Sequence, residues 1–397
     1  MTSFKQINSN IGAQKNEKIL IVGGGVAGLM TQNRLESLGY KPVLVEKSDT
    51  LRTDGAGILL GANVLRIFRE CGLEEELMRY AQPLKEIVSL DDQAKMLGRF
   101  DLEKIALETS YPTVAIHRKR LHEVLSNSVN QENIHLSQKV TGIAQRDSVY
   151  NVTFDNGTVE EYDYIIGADG LRSNVREAFF GDIPLRDAGY VCWRFVCDIP
   201  AGLDATSSSE SWGDNKRVGI FPIGENKVYC FLLTSTKGGE EKMNFQEILN
   251  CFSEFQGDWQ TIAAAIDIND TELLFNPIAD LSRVVLQKEK MILIGDAGHA
   301  TTPNLGQGAA MGIEGAYAFG ELLKTNSMMD AMKLYPKVRF ERVTYIRNRS
   351  WMIGKMAHLK SPFWQAVRNF IMRLIHQSTN QKEFEKAILG GAGNAGK

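Results

Sequence analysis

Lys18–Val22 is a short apolar run that delivers the chain into a glycine turn, and the segments after it alternate between strand and helix spacing. Val26–Leu38 has the period of a helix and closes at Gly39, a common residue just past a helix C-terminus. Pro42–Glu46 (PVLVE) reads as the next strand, which completes a compact strand–helix–strand unit. Ala62–Glu70 has helical spacing in Val64, Leu65 and Phe68, and Arg118–Val129 predicts a helix with Leu121, Val124, Leu125 and Ser128 on one face. Val140–Ile143, Val149–Phe154 and Glu161–Ile166 read as strands, with a turn at Asp155-Asn156-Gly157 between the last two. The third leads into Gly167-Ala168-Asp169-Gly170 and a helix carrying Arg172 and Arg176.

Ile87–Phe100 suits a hairpin, and from about Gly189 to Phe275 the pattern is mostly β. Gly189–Val196, Val218–Phe221 and Lys227–Leu233 are β-runs, followed by one amphipathic helix near Phe245–Phe255. This stretch predicts a separate sheet inserted into the first fold unit. The earlier pattern resumes at Val284 and continues through a helix at Met311–Leu323, and beyond Ala331 the chain is helical and rich in arginine.

Composition narrows the function classes. With 397 residues, 43% hydrophobic and 23% charged, the chain has room for two or three domains of ordinary globular make-up. A net charge of −3 argues against nucleic acid as a partner and against disorder. Five cysteines without a C-x-x-C pair signal neither a zinc site nor a redox dithiol, so no metal is expected. The first 17 residues are polar and suit a disordered leader rather than a signal peptide, and no apolar run reaches membrane-spanning length. A cytoplasmic location follows as the expectation. Phe363–His376 is amphipathic, and packing against the first domain is expected of it in preference to membrane contact.

Gly23, Gly25 and Gly28 form G-x-G-x-x-G between a strand and a helix, where glycine permits a tight turn, close approach of a pyrophosphate and close helix–strand packing. With Val26 and Ala27 inside the turn, and Glu46 and Lys47 ending the next strand, these residues form a candidate dinucleotide set. Glu46 is placed to accept from ribose hydroxyls. Residues 295–308, GDAGHATTPNLGQG, then put Asp296 at a strand end, where a carboxylate can accept hydrogen bonds from a polyol chain. Pro303 follows, and Gly306, Gln307 and Gly308 open a helix whose dipole favours negative charge on a flat ring. The plain alternative for Asp296 is a strand-end cap.

Four ordered motifs carry a resemblance over roughly residues 18–350: GGGVAG, Arg118 in HRKRL, GADGLRSNVR, and GDAGHATTPNLGQG. The chain resembles the single-component FAD-dependent aromatic hydroxylases, the group of para-hydroxybenzoate, salicylate and urate hydroxylases. The resemblance implies an α/β fold: a Rossmann-like FAD-binding domain with an inserted β-sheet substrate domain and C-terminal helices. On that basis residues 18–84, 110–186 and 276–345 are assigned to FAD binding, and 85–109 with 187–275 to substrate. Residues 346–389 are C-terminal helices, and 1–17 and 390–397 a disordered leader and tail. It further implies that Arg118 contacts the FAD pyrophosphate region, Asp169 serves FAD and NAD(P)H, Asp296 holds the ribityl chain, and Pro303–Gly308 lines the isoalloxazine.

The activity so implied is hydroxylation of a small aromatic or heteroaromatic substrate with O2, through a flavin C4a-hydroperoxide. The resemblance implies that NADH or NADPH binds transiently, and no second G-x-G-x-x-G with its own strand–helix unit is present for it. Candidate substrate contacts are Tyr190, Trp193, Arg194, Phe221 and Tyr229, with Arg194 the natural partner for an acidic group. Core packing and a structural ion pair are equally open for them. Arg52 reads first as a solvated charge, with a pyrophosphate or NAD(P)H contact as the alternative, and His299 reads as a core histidine. Two other functions stay open: an epoxidase or tailoring monooxygenase of a larger polyketide, terpenoid or antibiotic, and a binding protein like the prenyl-GTPase dissociation inhibitors. A monomer or homodimer suits either enzyme reading.

Overall fold

A computed structural model describes residues 17–51, 56–374 and 377–389. The leader through residue 16, Arg52, Gly55, His376 and the tail from 390 lie outside the described residues.

The first strand, Ile19–Val22, sits inside a six-stranded sheet. It pairs in parallel with Val43–Val45 on one side and Tyr164–Gly167 on the other, and the latter pairs with Met291–Leu293. Every residue of Ile19–Val22 is buried, as expected for a strand covered on both faces. Helices Val26–Ser37, Gly308–Leu323 and Met328–Ala357 pack over one face. The antiparallel meander Val140–Arg146, Val149–Phe154 and Val159–Tyr162 lies on the other.

Glu161–Ile166 is not one strand. Val159–Tyr162 ends the meander, and Tyr164–Gly167 starts afresh in the six-stranded sheet. The break falls at Asp163, whose carboxylate accepts from the Lys18 backbone N–H at 2.9 Å. Two sheets thus share what reads in sequence as one run. The helix expected at Phe245–Phe255 stops early, at Cys251, and a second helix that the pattern did not predict, Asp258–Ala265, follows after Gly257 at φ +74°. Helix Asn174–Phe180 begins after Arg172, with Ser173 as its cap.

The β-rich stretch forms a seven-stranded sheet with Leu185–Asp198, Ser207–Trp212, Lys216–Pro222, Lys227–Ser235 and Leu274–Leu281. The hairpin Glu86–Asp91 and Met96–Asp101 completes it, joined by parallel pairing of Ser207 with Glu86. One face buries Trp193, Phe195, Val218 and Leu232 against the two helices at 245–265. The other face looks toward the six-stranded sheet.

Helix Pro362–Leu374 corrects an expectation, because it packs on the edge of the seven-stranded sheet. Arg373 pairs with Asp91 at 2.6 Å, and the Arg368 guanidinium lies 5.2 Å from the Trp212 ring. Its inner face is therefore matched to the β-sheet rather than to the first domain. No helix among the described residues is long and apolar enough to cross a membrane.

Candidate active site

The glycine turn is built by its neighbours. Gly23 has φ +109°, and an added Cβ would overlap the Ala168 backbone. At Gly28 an added Cβ would overlap the Gly23 carbonyl oxygen, so only glycine lets helix Val26–Ser37 start this close to the strand. Glu46 accepts from Gly24 N–H at 2.8 Å and from Ser48 N–H at 3.0 Å. His122 Nε2 meets the Gly24 carbonyl at 2.7 Å, and burial lowers its pKa, so the neutral ring acts as donor. Gly25 faces open space, and Gly25, Val26 and Ala27 line a cavity of about 790 Å³. Lys47 is exposed and outside the cavity.

The 295–308 segment forms the facing wall. Gly295 at φ +69° turns the chain out of its strand, and Asp296 opens a short helix that ends at His299. Asp296 is exposed in the cavity lining. Desolvation inside the cavity raises its pKa, and the Arg118 cation opposes the shift. Pro303–Leu305 is a single 3₁₀ turn, Gly306 has φ +63°, and helix Gly308–Leu323 follows. Pro303, Gly306 and Gly308 line the cavity, and an added Cβ at Gly308 would meet nothing within 4 Å. Gln307 is buried outside the lining, with neither amide atom paired among the described residues. His299 is buried too, and its pKa is pushed down to about 3, so it is a neutral core residue.

Asp169 turns away from the cavity. It accepts from Ser173 Oγ at 2.5 Å and from Val175 N–H at 3.2 Å at the start of helix Asn174–Phe180, and burial raises its pKa. Arg176 then donates to the Ala297 carbonyl at 2.9 Å and the Leu171 carbonyl at 2.8 Å, which locks this motif to the Asp296 segment.

The third wall is the open face of the seven-stranded sheet. Alternation brings Cys192 and Arg194, Arg217 and Phe221, and Tyr229, Phe231 and Leu233 to the cavity. Arg194 donates to Asn276 Oδ1, and the Tyr229 phenol has its pKa raised by burial. The Nε of Arg194 has no partner among the described residues. Trp193 points the other way, 1% exposed and tilted against Phe275, and is not a cavity residue. Tyr190 is buried as well: it accepts from Asn304 Nδ2 at 2.9 Å and stacks on His358.

Sequence reasoning missed Arg217 and Glu210 and included Asn304 only as part of the Pro303–Gly308 segment; all three line the cavity. Asn304 stands inside the GDAGHATTPNLGQG motif, and Arg217 occupies an inward register position of an apolar strand. Those were the available signals.

The glycine approaches, the open positions at Gly25 and Gly308, and the cavity-facing carboxylate of Asp296 fit a dinucleotide with a flat ring. A family model described as an FAD binding domain matches residues 16–332. The chain is 30% identical to the 2-heptyl-3-hydroxy-4(1H)-quinolone synthase of Pseudomonas aeruginosa (strain UCBPP-PA14), over 94% of this chain and 98% of that one. It is 31% identical to the aurachin C monooxygenase/isomerase of Stigmatella aurantiaca, over 90% of this chain and 94% of that one. In fold it is similar to Klebsiella pneumoniae HpxO complexed with FAD and uric acid, with a TM-score of 0.87 at 22% identity over 96% and 98% of the two chains. These relatives set aside the binding-protein reading. The chain belongs to the FAD-binding-domain family and is an FAD-dependent monooxygenase of the aromatic hydroxylase kind.

Proposed function

We propose that this enzyme uses NADH or NADPH and O2 to hydroxylate a heteroaromatic ring of the quinolone kind. The observation that carries the reading is one cavity with two chemically different walls. Asp296 and the Pro303–Gly308 turn form one, and Arg194, Asn276 and Tyr229 the other, so a ring held by the second would lie against a flavin held by the first. The quinolone in the relative's name sets the ring class.

FAD supplies the oxygen-activating chemistry when bound. In this reading the N-terminus of helix Val26–Ser37 and Arg118 bind its pyrophosphate, and Glu46, with Lys47 beside it, meets the adenosine ribose. Asp296 accepts from the ribityl chain, and the start of helix Gly308–Leu323 stabilises negative charge on the ring. Asp169 positions the Asp296 segment through Ser173 and Arg176. Arg194 and Asn276 hold the polar edge of the substrate, while Phe221 and Phe231 cover it and keep water out. Leu274–Leu281 pairs with Leu185–Asp198, so the proposed substrate unit extends to residue 281.

The test is NADH and NADPH oxidation with oxygen uptake by the purified yellow protein, across quinolones, aromatic acids, phenols and purines. We expect consumption to rise with a quinolone and to yield hydroxylated product. A protein that oxidises neither nucleotide with any compound would remove this reading.

A further inference from the structure

The cavity-facing side of the seven-stranded sheet is divided along its strand order. Toward Leu185–Asp198 and Leu274–Leu281 it presents Arg194 and Asn276. At the opposite edge, Glu86–Asp91 and Met96–Asp101 present Ile87 and Phe100, with the Ser89 hydroxyl as their one polar side chain on the cavity. Segments far away in sequence complete this second end. Ile353 and Met356 come from helix Met328–Ala357, Met372 from helix Pro362–Leu374, and Phe384 from helix Gln377–Ile388.

This apolar wall is anchored. Phe384 stacks on Phe100 with ring centroids 4.6 Å apart. Gln381 pairs with both backbone groups of Asp101, accepting at 2.9 Å and donating at 3.0 Å. Arg342 donates to the last carbonyls of the same helix, at Lys386 (3.2 Å) and Ala387 (2.7 Å), where a cation suits a helix C-terminus. Ala387 and Ile388 are buried behind it. An apolar end held this firmly, opposite a polar end, selects a ligand with the same division.

We propose that the end formed by Ile87, Phe100, Ile353, Met356, Met372 and Phe384 takes an aliphatic chain carried by the substrate ring. This rests on the hydroxylase reading above and adds the substrate's shape to it: a polar ring edge at Arg194 and Asn276, and a saturated tail running toward Phe384. Two methionines on this wall adapt to a flexible chain without a fixed shape of their own. The C-terminal helices therefore set chain-length preference.

The test titrates the full-length, FAD-loaded protein with 2-alkyl-4-quinolones from methyl to nonyl, reading the flavin absorbance change. Each added methylene should tighten Kd by about fourfold until the apolar end is full. Met372→Trp fills that end, so the heptyl compound should lose at least about tenfold while the methyl compound stays within about twofold. Phe384→Ala should move the plateau to longer chains. A Kd independent of chain length, or variants that shift every member equally, would overturn the tail site. So would a series that leaves the flavin spectrum unchanged throughout. Flavin reduction by NADH or NADPH without any ligand reports separately on the monooxygenase reading.

Discussion

Arg217 donates from Nη1 to Asn304 Oδ1 at 2.6 Å, which ties the middle of the seven-stranded sheet to the turn Pro303–Leu305. Glu210 fixes the other side of the guanidinium, accepting from Nε at 2.6 Å. The Asn304 amide donates onward to the Tyr190 hydroxyl at 2.9 Å and the Ser350 carbonyl at 2.8 Å. One asparagine thus joins the sheet, the turn and helix Met328–Ala357. The walls on either side of the cavity are held at a fixed separation by this contact rather than by backbone continuity.

Arg217→Met should therefore destabilise the protein strongly. Arg217 is 2% exposed, and removing its charge leaves Glu210 and Asn304 Oδ1 facing an apolar group. Breaking a buried pair in this way costs about 3–5 kcal/mol. Thermal melting should show a fall of several degrees, with faster release of FAD from the folded protein. Adding Glu210→Gln to the same variant should recover part of the loss. Identical melting curves for Arg217→Met and the parent would disprove the coupling.

Asp296→Ala should weaken FAD retention by about tenfold or more, the range for losing a hydrogen bond to a charged group. Asp296→Asn keeps the shape and should fall between the two. FAD content after extended dialysis is the readout. An alanine variant that stays as yellow as the parent would show that this carboxylate does not hold the flavin.

The cofactor side of the site was legible because its requirements are local. A turn that overlaps its neighbours unless it is glycine announces itself at Gly23 and Gly28, and Asp296 follows directly from the strand before it. The substrate side was not. Tyr190–Cys197 (YVCWRFVC) is apolar on both faces, because helices cover one side and the cavity wall the other, so nothing in the pattern says whether Trp193 or Arg194 faces inward. Helix Gln377–Ile388 reaches the hairpin near Phe100 from some 280 positions away, as the Gln381–Asp101 pair shows, and no local period reports such a contact. Ser207–Trp212 (SSSESW) has strand character only through its partners, and Ser208 is wholly buried despite its polarity.

Trp193 and Arg194 should separate cleanly on mutation, since they are adjacent in sequence and opposite in facing. Trp193→Ala empties a packed site against Phe252 and Phe275, at about 3–5 kcal/mol in unfolding free energy. At a temperature where the variant is folded, its KM should match the parent's. Arg194→Met should do the reverse, raising KM by about tenfold or more with little change in melting, because it removes a donor to the substrate. Steady-state kinetics and urea denaturation on both variants decide the matter. A KM effect at Trp193 equal to that at Arg194 would contradict the assigned facing.

Acid should destabilise the fold from about pH 6.5 downward, and His358 should account for a measurable share. Its ring stacks on Tyr190 with centroids 4.3 Å apart, and Ser235 Oγ meets Nδ1 at 3.3 Å. Burial, with the Arg217 and Arg368 cations close by, pushes its pKa from 6.5 down to about 3. His299 is shifted to about 3 in the same sense. Above pH 6.5 these rings are neutral folded or unfolded, so their full contribution is present there. Below it the unfolded chain takes up protons that the folded rings refuse until about pH 3, and stability is lost at about 1.4 kcal/mol per pH unit for each ring. Glu314 lies between Arg339 and Arg342 and is held down at about 2, so its contribution fades only below its unfolded value of 4.5. Asp169 and Asp296, both raised by desolvation, work against the trend. His358→Phe keeps the stack and abolishes one titration. Between pH 6 and pH 5 its stability should decline less steeply than the parent's, by about the slope of one proton. Equal slopes for the two proteins across that interval would mean that His358 is protonated in the folded state.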